Sequence, residues 1–193
     1  EICACLVGSE MCIRDSPYIV REVFSSLIDI TKKDTANLAA PTDEQVQARK
    51  KLISNFIVME NAKQGQGQVK LPYQLTEKDF ALANELSPME QAERNKEYAL
   101  YTISILAKIY TDEVEKQTGN IVPLTDLPGS AAIVDALRFN PNSGVKIAAI
   151  DALRHIQRPE YKEELTTLYT LAQADSNPQV SMAAERALNR SNV

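Results

Sequence analysis

The chain has no tryptophan, one histidine and six glycines in 193 residues. A lone imidazole, His155, cannot build a metal site or a catalytic triad by itself, so it reads as a surface histidine. Scarce glycine leaves one Gly-x-Gly, at Gly65 and Gly67. It lacks a third glycine and no strand precedes it, so it is no nucleotide fingerprint. The surrounding stretch 63–73 reads as a solvated connector, with a recognition loop as the other reading. No apolar run reaches the length of a membrane span. No basic block appears and the net charge is −5, which argues against DNA or RNA as the main partner. Nucleophile motifs, phosphate loops and metal-ligand spacings are missing too. Acids are plentiful at Asp112, Glu113 and Glu115 and at Glu160, Glu163 and Glu164. They alternate with lysines and polar residues on helical faces and read as solvated surface. We therefore expect no enzyme, and assign no catalytic, cofactor-binding or metal-binding residue.

Cysteine occurs only at Cys3, Cys5 and Cys12. All three fall in residues 1–16, EICACLVGSEMCIRDS, which resemble a translated sequencing adapter. The fixed part of an indexed transposase adapter, read in one frame, gives Leu6 to Asp15 in order. On that reading the segment is left out of fold reasoning, the native N-terminus is lost and the source is environmental sequence data of bacterial type. The rest of the chain, lacking cysteine, has no disulfide framework, zinc knuckle or thiol nucleophile. Removing Glu1, Glu10, Asp15 and Arg14 takes the net charge from −5 to −3. Residues 17–193 then suit a single domain. Its compartment is open, with a cytoplasmic location favoured.

What the sequence does contain is a repeat. Val145, Ala148, Ala149, Ala152 and Leu153 recur at an offset of 35 as Val180, Ala183, Ala184, Ala187 and Leu188. Within each copy the spacing is i, i+3, i+4, i+7, i+8, one face of a helix. Alanine dominates that face, so a neighbouring helix can come close. Asn177 and Pro178 stand as N-cap and first helical residue of the second copy. Each repeated helix has a partner before it. Leu165, Leu168 and Leu171 stripe the stretch 160–174, and Ile133, Ala136 and Leu137 the stretch 131–139. Turns of Asn, Pro, Asp and Ser separate the partners at 140–143 and 175–178. Repeats of this length with helical spacing mark stacked helix pairs.

The two segments, 142–156 and 177–188, resemble the HEAT family: a polar turn, a valine, a small-residue pair, then Ala-Leu. The resemblance covers about 60 residues, at 130–190. It departs from the family pattern at Ser181, where a basic residue often follows the valine; Lys146 keeps that charge. It implies an all-α fold of antiparallel helix pairs stacked as a short HEAT-like (armadillo-like) α-solenoid. Ile150 and Ile156 become Glu185 and Ser191 in the last copy, as a C-terminal capping repeat should. On that reading the chain ends naturally at Val193.

The remainder, 17–118, reads as a more irregular helical part, with the HEAT-like repeats over 119–193. Val20, Val23, Phe24, Leu27 and Ile30 predict one buried-face helix over 17–30, and 31–41 a polar linker. Thr42 and Gln45 form a capping box opening a helix to about 62. Its stripe is Val46, Leu52, Ile53, Phe56 and Ile57. Thr76 caps a short helix with Phe80, Leu82, Ala83 and Leu86. Ser87, Pro88 and Glu90 start a long helix that runs to Thr118 and stops at Gly119. Its face is Leu100, Ile103, Leu106, Ala107 and Tyr110. Leu106 to Ile109 weakly echo Leu153 to Ile156.

In stacked pairs the second helices line the inner side, and positions 35 apart form ladders. Lys146 lies over Ser181, Asp151 over Arg186, Arg154 over Asn189 and His155 over Arg190. This gives a candidate partner-binding face of Lys146, Asp151, Arg154, His155, Arg186, Asn189 and Arg190, mildly basic on an acidic protein. Asp151 and Arg186 are also candidates to pair. The expected function is a non-enzymatic scaffold or adaptor holding a protein or peptide of acidic character, with oligomeric state open. The alternative is a HEAT-like lyase or accessory factor that binds a small molecule or modifies a partner, as the phycobilin lyases of that family do. Tyr98, Tyr101 and Tyr110 are its candidate lining, although a helical aromatic stripe is more often core.

Overall fold

Helix N-terminal signals in the sequence are met by real hydrogen bonds. In a computed structural model, which describes residues 17–63 and 69–191, the chain is all-α. Its helices are α1 (Pro17–Lys32), α2 (Asp43–Lys63), α3 (Glu77–Asn84), α4 (Pro88–Thr118), α5 (Ser130–Phe139), α6 (Ser143–His155), α7 (Lys162–Gln173) and α8 (Pro178–Ser191). Short 3-10 turns at Leu124–Asp126 and Pro159–Tyr161 precede α5 and α7. The segment 1–16, with its three cysteines, and both glycines of the Gly-x-Gly lie outside the described residues.

The Thr42 N–H donates to Gln45 Oε1 at 2.9 Å, and the Gln45 N–H to Thr42 Oγ1 at 3.2 Å. Ser87 and Glu90 make the same reciprocal pair at 3.0 and 3.2 Å. Each box satisfies N–H groups that a helix start otherwise leaves orphaned. Gly119 stops α4 with a left-handed φ of 70°.

Two compact units result: Asp34–Ala92 forms one, and α1 with everything from Glu93 onward forms the other. The larger unit holds the continuous apolar core. Phe24 of α1 joins Leu100, Ile103 and Ala107 of α4, Ile133 and Leu137 of α5, and the apolar faces of α6, α7 and α8. On α1, Ile30 is exposed, and the buried residue at that end is Thr31, whose hydroxyl donates to the Ile28 carbonyl at 2.7 Å. On α4 the buried stripe is narrower than expected. Tyr110 and Ile109 are exposed while Ile156 is buried, so the 106–109 echo is not carried into burial.

The 35-residue offset survives at atomic detail. Val145 and Val180, Ala149 and Ala184, and Ala152 and Ala187 are all buried. The turns match as well. Asn140 Oδ1 accepts the Asn142 N–H at 2.9 Å, and 35 residues on Asp175 Oδ1 accepts the Asn177 N–H at 2.8 Å. Asn142 caps α6 through the N–H groups of Gly144 and Val145, and Asn177 accepts from Gln179. Helix α5 packs on α6 and α7 on α8, while α6 also meets α8 and α5 meets α7. Buried Ile150 is replaced by exposed Glu185.

The smaller unit departs from its sequence reading. Helix α2 packs on α3, and its buried residues are Gln45, Ala48 and Asn55 rather than its apolar stripe. The Asn55 amide donates to the Tyr73 carbonyl at 2.8 Å and accepts the Tyr73 N–H at 3.1 Å, which makes a polar residue acceptable inside. Ile53, Phe56 and Ile57, expected inside, are 57%, 62% and 51% exposed. Phe80 and Leu86 are exposed as well. Eight residues of α3 are too few to cover both sides of a 21-residue helix, and hydrogen-bonded polar groups occupy the side that is covered.

Candidate partner-binding face

The ladder residues stand on α6 and α8, which pack on one another. Structure and expectation differ in how the charges are spent. Lys146 Nζ reaches Asp175 Oδ2 at 2.6 Å, with both side chains mostly buried. The Lys146 ammonium is the main reason the Asp175 carboxyl is held below its usual value, helped by the Asn177 N–H. Lys146 is therefore a joint between α6 and the turn before α8, and not a free rung of the ladder. Asp151 does not pair with Arg186. Its Oδ1 takes Arg154 Nη1 at 2.7 Å, one turn along its own helix. An i, i+3 partner is already within reach, whereas one on α8 requires two long side chains to be ordered across the gap.

That leaves His155, Arg186, Asn189 and Arg190 as exposed groups, and among the described residues neither arginine forms an ion pair. The basic edge thus narrows to Arg186 and Arg190, which stand i, i+4 on α8 and share a face. His155 points elsewhere: its ring lies 6.0 Å from the Tyr101 ring on α4, tilted by 49°. Tyr98 and Tyr101 are 61% and 56% exposed. The tyrosines of α4 are surface groups, not the core stripe their spacing suggested, and Tyr101 extends the ladder face from α6 onto α4.

Other charged groups turned out to have partners that spacing could not reveal. Arg158, just after α6, forks onto Asp112 and Glu115 of α4, reaching Glu115 Oε2 at 2.5 Å. Those two acids were read as solvated surface; they are the anchor that holds this turn. Lys96 and Glu93 sit buried on one turn of α4, with Nζ to Oε1 at 3.3 Å. In the smaller unit, Arg49 pairs with Glu90 and donates to the carbonyls of Ala83 and Glu85, tying α2 to the α3–α4 connection. Its guanidinium holds the Glu90 carboxyl below the usual range. All three are contacts between residues 34 or more apart or masked by ordinary i, i+3 spacing. Only the long-range ones leave no local signal at all.

Among the described residues, no helix is long and apolar enough to cross a membrane. Comparison of the chain with family models, with curated proteins and with solved structures gives no match.

Proposed function

We propose that this chain is a protein-binding scaffold or adaptor, built as a short HEAT-like stack of helix pairs. Its partner segment lies along α8, α6 and the adjoining tyrosines of α4. The observation that carries this reading is the exposed Arg186 and Arg190 of α8, without ion pairs among the described residues, together with exposed His155 of α6 beside exposed Tyr101 of α4, on helices with a 35-residue repeat. Arginine and tyrosine are the residue types that most often anchor protein interfaces. Two arginines without ionic partners favour an acidic segment. The exposure of Tyr98 and Tyr101 suits contact with a protein surface better than enclosure of a small molecule, which takes a concave site.

Selection of a random-peptide library on the full chain tests this. Enriched peptides are expected to be acidic. Arg186→Glu combined with Arg190→Glu is expected to weaken them tenfold or more, on the order of 1.4 kcal/mol or greater. Lys78→Glu, an exposed reversal in the smaller unit, should leave binding unchanged. Peptides indifferent to the arginine pair would remove the proposal.

A further inference from the structure

The exposed stripe of α2 is arranged to pair with itself. Val46, Lys50, Ile53, Ile57 and Glu60 follow one another at steps of four, three, four and three residues, so they fall on one line along the helix. That line is opposite the side carrying Ala48 and Asn55, which is buried. Phe56, also exposed, adds apolar surface beside it. A row of large exposed apolar side chains on one helix is the kind of patch that marks an interaction surface.

The charges say which partner fits. Lys50 stands at one end of the apolar centre and Glu60 at the other. A two-fold axis through the middle of the line, level with Asn55, superposes position 53 on 57 and position 50 on 60. Two copies packed antiparallel then set Ile53 against the partner copy's isoleucine at 57, and Lys50 against its glutamate at 60, each twice. A parallel pairing would instead set lysine on lysine and glutamate on glutamate. Self-complementarity of this sort is what an isologous interface requires, and a different protein would impose no such symmetry on the line. Lys50 is exposed and makes no ion pair among the described residues. Among the described residues the ion-pair partner of Glu60 is Lys63, one turn away and well exposed at 2.5 Å, an attachment weak enough to exchange.

We infer that α2 is a homodimerisation helix, packing antiparallel on α2 of a second copy through Ile53, Phe56 and Ile57, with Lys50–Glu60 pairs at both ends. The interface is small, so the dimer forms in the micromolar range or above.

Sedimentation equilibrium of the full chain under reductant, which prevents cysteine cross-links between copies, tests it up to a concentration on the order of 100 µM. The mass is expected to rise from one chain to two. Ile57→Glu should abolish the rise without altering the circular dichroism spectrum, since the side chain is exposed in the monomer. Lys50→Glu and Glu60→Lys should each weaken association tenfold or more, and the double swap should bring it back to within about threefold of the original. A chain that stays monomeric throughout overturns the inference. So does a dimer that the single swaps leave untouched or that the double swap fails to restore.

Discussion

At the scale of single residues, Gly129 is the most constrained position. It precedes α5 with a left-handed φ of 79°, and a Cβ placed on it would overlap Ile103 Cγ2 and touch Phe24 Cδ1 at 3.5 Å. Backbone conformation and close packing both demand glycine there. Gly119 shares the first demand, at φ 70°, but has nothing within 4 Å of its would-be Cβ. Gly119→Ala should therefore cost about 1 kcal/mol, the backbone part alone. Gly129→Ala should cost about 2–4 kcal/mol, because fully buried Ile103 must also move. Urea unfolding of both variants checks this, and equal losses would falsify the packing argument. Gly119 was legible as a helix stop. The demand at Gly129 was not, because it comes from a side chain 26 positions earlier.

At the scale of helices, capping was legible and facing was not. Thr42, Thr76, Ser87 and Asn142 each start a helix with the side-chain bonds their local pattern predicts. Such bonds span two or three residues, so the sequence contains them whole. Periodicity shows that α2 has an apolar side. It does not show that the tertiary neighbours will cover the opposite one, through Asn55 and its grip on Tyr73. The N-terminus of α3 shows both halves. Asp79 closes a capping box with Thr76, which is local, and takes Lys51 Nζ at 2.8 Å from α2, which is not. The Lys51 ammonium first, then the Thr76 hydroxyl and N–H, hold the Asp79 carboxyl at about 2 against an ordinary 3.8. A folded value below the unfolded one stabilises the fold fully above pH 3.8, and that contribution is lost as pH falls towards 2. Acid titration followed by far-ultraviolet circular dichroism should show helix loss in this window. Asp79→Asn should be less stable at neutral pH and flatter across the window. A variant as acid-sensitive as the original would assign the loss to other carboxylates.

At the scale of the whole molecule, burial is unevenly shared. The apolar cluster around Ile103, Leu153 and Tyr169 lies wholly in the larger unit. In the smaller one, buried Gln45, Asn55 and Asp79 are held by hydrogen bonds and an ion pair. The hydrogen bonds of Gln45 and Asn55 contribute about 1 kcal/mol net each, less than a buried leucine or isoleucine. Amide hydrogen exchange should thus be faster in α2 and α3 than in α5 to α8. Slower exchange in α2 at high protein concentration is expected if the helix is covered by a second copy. Uniform protection along the chain would contradict this division. The repeat-bearing half was legible because its pattern is written twice; the other half is written once and leans on distant partners.

The Lys146–Asp175 joint also has a bearing on how such a chain grows. Donor and acceptor both lie within residues 141–175, one at the start of α6 and one in the turn that follows α7. A tandem duplication of that stretch therefore carries its own fastener, and each added copy arrives with lysine and aspartate already matched. Asn140, the equivalent of Asp175 one unit earlier, makes the same turn without the charge. If the helix pairs stack as proposed, copying this segment brings the joint along with it, which makes 141–175 the stretch to duplicate in a longer designed array.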